Sequence, residues 1–137
     1  MSIVNVQKIT RKNDYSDLDL DFTANPITGD VSKKIGEDSI ARSIRNLIFL
    51  NFYEKPFQPN IGSNAIKLLF ENINIMTANL LRDSIIQVVQ NYEPRASLVE
   101  VIVISKPDDN GYQAKIVFRP INKKEPYTIS MFLERIR

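Results

Sequence analysis

The chain has no cysteine, no histidine and no tryptophan in its 137 residues. Without cysteine there is neither a disulfide framework nor a thiolate metal site. Without histidine the commonest general base, the commonest zinc ligand and every Ser-His or Cys-His nucleophile pair are missing too. No apolar run approaches the roughly 20 residues needed to cross a bilayer. The opening MSIVNVQKITRKN lacks the apolar core of a signal peptide. No cofactor, metal or membrane role is expected, and no catalytic residue is assigned.

What remains is the composition of a soluble globular protein, 43% hydrophobic and 25% charged. The length suits one domain over 1–137, large enough to bury a core. Its parts read as a strand and turn segment over 1–36, a helical part over 37–95 and a β-meander over 98–137. The net charge of +2 does not by itself indicate a nucleic-acid partner. Tyr112, Phe118, Arg119, Lys123, Lys124 and Tyr127 mix bases and aromatics as a phosphate-binding face does. The same residues read better as a solvated strand surface, as charge runs usually do, and no nucleic acid is expected as a partner.

Between Tyr15 and Phe22 the chain alternates, with Leu18, Leu20 and Phe22 on one side and Asp17, Asp19 and Asp21 on the other. That is the period of a half-buried strand, apolar side inward. Turn chemistry follows in Asn25-Pro26-Ile27-Thr28-Gly29-Asp30. Ile40, Ile44, Leu47 and Ile48 predict a helix over 37–50. Pro56, Pro59 and Gly62 make 52–62 an ordered loop. Ser63 is a candidate cap for a short helix over 63–71. Thr77 is the candidate cap for a longer one over 77–92, with Ala78, Leu81, Ile85, Val88, Val89 and Tyr92 on one face.

After Pro94 the period becomes two. Strands are expected over 98–106, 112–119 and 126–135, with Val99, Val101 and Val103 sharing a face of the first. Asp108-Asp109-Asn110-Gly111 supplies a hairpin turn between the first two. The fold class is therefore α+β, with helices on one face of a small antiparallel sheet that ends in a three-stranded meander.

Three features are candidates for binding. Glu93-Pro94-Arg95 puts two opposite charges around a rigid proline at a helix end, which suits a docking corner. Pro56 and Phe57 sit in a loop that either faces a partner or plugs the domain's own core. The last strand carries Tyr127, Ile129, Ser130, Met131 and Leu133 with no proline after Pro126, so it can offer unpaired backbone groups to another chain.

The order of these signals resembles the baseplate wedge protein of contractile phage tails, the sheath-initiator family that also includes a type VI secretion baseplate subunit. The resemblance rests on DLDLDF at 17–22, NPITGDV at 25–31, IARSIRNLI at 40–48, KPFQPNIGS at 55–63, LLFEN at 68–72 and NYEPR at 91–95. One departure is Tyr53-Glu54-Lys55 before Pro56, where the family often has Glu or Arg with Gly. The resemblance implies a structural subunit of the virion tail baseplate, assembled in the host cytoplasm. It would dock on the baseplate core through Glu93, Pro94, Arg95, Pro56 and Phe57. It would template the first sheath ring by strand addition along Tyr127, Ile129, Ser130, Met131 and Leu133. Implied partners are other wedge proteins, the tail sheath protein and the tail tube or hub, with six copies per baseplate.

The alternative is a lysozyme-like peptidoglycan hydrolase, a label this family has carried. Such a glycosidase needs two carboxylates flanking a sugar bond, one of raised pKa. Glu93, Glu71, Glu54 and the row Asp17, Asp19 and Asp21 are the candidates. An ion pair with Arg95 would lower the pKa of Glu93 and make it a poor general acid.

Overall fold

The computed structural model describes residues 15–137; the first fourteen residues of the expected 1–36 segment lie outside them. In chain order the elements are β1 (Ser16–Leu18), β2 (Lys33–Ile35), α1 (Glu37–Phe49), α2 (Ala65–Leu68), α3 (Ile75–Tyr92), β3 (Ala96–Lys106), β4 (Gly111–Pro120) and β5 (Tyr127–Glu134). β1 and β2 form an antiparallel pair, and β3, β4 and β5 form an antiparallel meander in that spatial order. This is the α+β arrangement expected from the change of period.

Alternation decides which side of the meander is covered. Tyr112, Ala114, Ile116 and Phe118 of β4 and Ile129, Met131 and Leu133 of β5 point into one core. Ile40, Ile44 and Ile48 of α1 and Leu81, Ile85, Val88 and Val89 of α3 meet them there. Lys115, Arg119, Thr128, Ser130 and Phe132 alternate outward and are exposed.

Four local readings need correction. Thr77 does not cap α3: Asn74, at φ −153, accepts the Thr77 N–H through Oδ1 at 2.7 Å, and the helix begins at Ile75. Asparagine is among the best caps, and its carbonyl reaches the third helical N–H. The short helix is Ala65–Leu68, with Asn64 at its cap position. Ser63 instead donates to the Ile48 carbonyl at 2.5 Å and accepts from Ala65 N–H at 3.2 Å, joining the ends of α1 and α2. In β3 a bulge between Leu98 and Glu100 turns Val99 outward, 54% exposed, away from Val101 and Val103. The fourth concerns the N-terminal alternation, which is inverted. Asp19 is 2% exposed while Leu18, Leu20 and Phe22 are 59%, 50% and 70% exposed. A period of two separates the faces but does not say which is inside; here arginines on the body draw in the carboxylates.

Gly62 is where the loop after α1 returns to it. A Cβ there would lie 2.6 Å from both the Asn51 carbonyl carbon and the Phe52 nitrogen. Neither backbone atom can yield without moving the loop. Gly62→Ala should therefore destabilise the fold by about 1–3 kcal/mol, as overpacking does. A denaturation midpoint equal to that of the parent would show that the loop has room to shift.

Candidate interaction surfaces

The Glu93-Pro94-Arg95 corner forms where α3 stops, because Pro94 cannot continue the helix. Its charges turn toward each other and toward the body. Arg95 Nε lies 2.7 Å from Glu93 Oε1 and Nη2 lies 3.1 Å from Oε2, a two-pronged pair. The Glu93 side chain is 2% exposed and that of Arg95 21%. Arg95 also reaches Asp17 Oδ2 at 3.4 Å and lies 5.4 Å from the centre of the Tyr15 ring. Burial pushes the Glu93 carboxyl up, but bonds from the Arg95 guanidinium and the Ser43 hydroxyl more than offset this and hold it below its ordinary value. Pro94 is exposed. The corner thus shows a surface the proline and part of a guanidinium whose direction the buried glutamate fixes.

The 51–61 loop is built by turns. Glu54 accepts from Asn51 N–H at 2.9 Å and from the Asn51 amide at 2.7 Å. Tyr92 on α3 donates to the Asn60 carbonyl at 2.6 Å. This frame carries Phe57 at φ +64 and 101% exposed, and Tyr53 at φ +70 and 83% exposed. Bulky residues rarely occupy the left-handed region. Strain of this kind clusters at functional positions. Phe57 does not plug the core. Phe57→Ala should leave stability within about 0.5 kcal/mol, as expected of an exposed side chain. A larger fall in the denaturation midpoint would show that Phe57 packs against the domain in solution.

On the meander, Ile129, Met131 and Leu133 are buried and Tyr127 is half-buried, whereas Ser130 is exposed. These five residues therefore divide between the two faces of one strand. β5 pairs with β4 on one side only. Its start is held to α1 by Tyr127 Oη donating to Asp38 at 2.9 Å, and Arg45 of α1 reaches the Ser130 carbonyl at 3.5 Å. The other edge strand, β3, carries the bulge at Val99.

One surface escaped the sequence reading. Leu18 and Leu20 face Leu47, Leu50 and Ile61 across a groove of about 400 Å³ rimmed by Asp17, Arg42 and Lys55. The alternation of DLDLDF was its visible sign, but the inward side was assigned to the wrong residues.

The carboxylates are poorly placed for glycoside hydrolysis. Four clefts of the described residues are each lined by a single carboxylate: Asp17, Asp38, Asp83 and Asp30. Asp17 is already bonded to Ser39 at 2.7 Å. Glu54 is held below its ordinary value by bonds from the Asn51 side chain and backbone. Glu71 is exposed. A general acid requires the opposite, a carboxyl whose pKa is raised beside a second carboxylate.

Residues 35–119 match the family model described as baseplate wedge protein gp25. Baseplate wedge protein gp25 of Enterobacteria phage T4 is 33% identical over 111 residues, covering 81% of this chain and 83% of that protein. Among solved structures, a candidate tail lysozyme from Geobacter sulfurreducens superposes with a TM-score of 0.67 at 20% identity, over 74% of this chain and 92% of that one. A chain of the anti-feeding prophage baseplate superposes with a TM-score of 0.60 at 19% identity, over 90% of this chain and 87% of that one. At these identities the superpositions show a shared fold. The family match and the T4 relative show more: the chain belongs to the gp25 family of baseplate wedge proteins.

Proposed function

We propose that the protein is a non-catalytic wedge subunit that docks on the baseplate core and offers the free edge of β5 to the first ring of tail sheath. Its place is the tail baseplate of a virion, and its partners are other baseplate proteins. Core docking would use Pro94, the exposed part of Arg95, Pro56 and Phe57, with Glu93 acting as an internal strut.

The observation that carries the sheath reading is the difference between the two sheet edges. β5 runs Tyr127–Glu134 in unbroken register with β4, whereas β3 is bulged at Val99. Bulges twist an edge away from further pairing, and a regular edge accepts an added strand. Backbone bonds would supply affinity and alternate side chains the register. Repetition around the tail, with six copies proposed, would add avidity even if each contact is weak.

The test is amide exchange of the full chain in isolated baseplates, before and after adding sheath protein. Alternate amides of β5 should gain protection while those of β3 do not. Protection confined to β3, or absent from both, would overturn the assignment. A turbidity assay on peptidoglycan separates the enzymatic reading: clearing that is lost in Glu93→Gln would establish a hydrolase.

A further inference from the structure

The β1–β2 hairpin is fastened to the body by its polar side. Asp17 Oδ2 accepts from Ser39 Oγ at 2.7 Å and lies 3.4 Å from Arg95. Arg42 of α1 lies 3.0 Å from Asp19 and 2.8 Å from Asp21. No residue of 16–35 belongs to the buried apolar core, and Tyr15 packs against it only at the hairpin's root. Ile27 and Ile35 of the hairpin are likewise exposed, at 92% and 58%.

The hairpin's backbone bonds are internal: Asp19 N–H to Ser32 O at 2.9 Å, Ser32 N–H to Thr23 O at 2.9 Å and Asn25 N–H to Asp30 O at 2.7 Å. Among the described residues it meets the body as a preformed unit, and it leaves through Gly36 at φ +67, a position that suits a pivot. The bridging side chains are open to solvent salt, with Arg42 27%, Asp17 43% and Asp21 72% exposed, while Asp19 alone is shielded.

We propose that residues 16–35 form a strap closed over α1 by an ionic latch of Asp17, Asp19 and Asp21 on Arg42 and Arg95, and that the strap opens as a unit while the core stays folded. Opening carries Leu18 and Leu20 away from Leu47 and Leu50, so the groove between them exists only with the strap closed. The groove is then a gated surface rather than a permanent one. Ions screen such bridges strongly: the Debye length falls from about 30 Å at 0.01 M to about 3 Å at 1 M salt.

Because the chain has no cysteine, a dye pair can be placed at Ile27→Cys and Asn91→Cys in the full-length protein. Energy transfer should show one closed population at 0.01 M NaCl. The open fraction should rise about tenfold at 1 M NaCl, where the Debye length is no longer than the bridges themselves. Arg42→Gln, and Asp21→Asn from the hairpin side, should raise it at low salt. Amide protection of α3 and β4 should not change in any of these samples. A distance distribution insensitive to salt and to both variants would overturn the latch. So would a change that appears only together with loss of protection in α3 and β4.

Discussion

Replacing Arg95 with alanine should lower the stability of the folded chain by about 3 kcal/mol, because it strands a buried carboxylate. For a domain of this size that corresponds to a fall of roughly 10 °C in the unfolding midpoint. Glu93 is 2% exposed and receives both prongs of the guanidinium. Without Arg95, the Ser43 hydroxyl and the Arg95 backbone N–H at 3.4 Å remain, too little to replace a full charge. Arg95→Ala combined with Glu93→Gln should recover at least about 1 kcal/mol relative to the sum of the single losses. An Arg95→Ala midpoint equal to that of the parent would show that the pair is not structural in solution and that its charges are free for a partner.

The pH dependence gives this result a sign. In the parent, Glu93 is held below its ordinary value of 4.5. Its contribution to stability is therefore complete above that value and is lost as pH falls through the lower folded pKa. Without the guanidinium, only the Ser43 hydroxyl and the backbone N–H of residue 95 oppose burial, which then pushes the carboxyl up. The penalty in Arg95→Ala is then largest near neutral pH and shrinks on acidification, from the raised pKa of the variant down through the lowered one of the parent, where a neutral carboxyl is tolerated. Denaturation of both proteins across this range should show the two curves converging toward acid. Parallel curves would rule out Glu93 as the stranded charge.

Proline in β5 should produce baseplates without sheath. In an edge strand only alternate N–H groups point away from the sheet, so a proline at one register blocks an incoming strand and at the next breaks the pairing to β4. Ile129 pairs with Ile116 and is buried, whereas Ser130 pairs with Lys115 and is exposed. Ser130→Pro therefore spares the core packing, and Ile129→Pro tests the adjacent register. An inward proline costs about 3 kcal/mol or more; an outward one leaves the fold intact. At least one variant should assemble into baseplates that electron microscopy shows bare of sheath. If both variants fold and both give baseplates with normal sheath, the template moves to β3.

These expectations rest partly on what was legible in the chain itself. The helical stripe Ile40, Ile44, Ile48, the second stripe ending at Tyr92, the stop at Pro94 and the alternations through β4 and β5 each put the right residues in the core. Each is a local pattern whose period is set by backbone geometry, so no distant partner was needed to read it. The side of DLDLDF that faces inward was not legible, because it depends on Arg42 and Arg95, which lie far along the chain from Asp19 and Asp17. Nor could the orientation of Glu93 and Arg95 be read from three adjacent residues. Burial and the approach of Asp17 and Ser43 decide it. The bulge at Val99 likewise appears only in the register between two strands. The sequence by itself determined the helices, the meander, their order and the core between them, though not the strand Lys33–Ile35, since these follow from periodicity and turn chemistry. Only the tertiary structure decided which charges are spent inside, which aromatics stand outside and which sheet edge is regular, because those outcomes are set by pairs of groups brought together by folding.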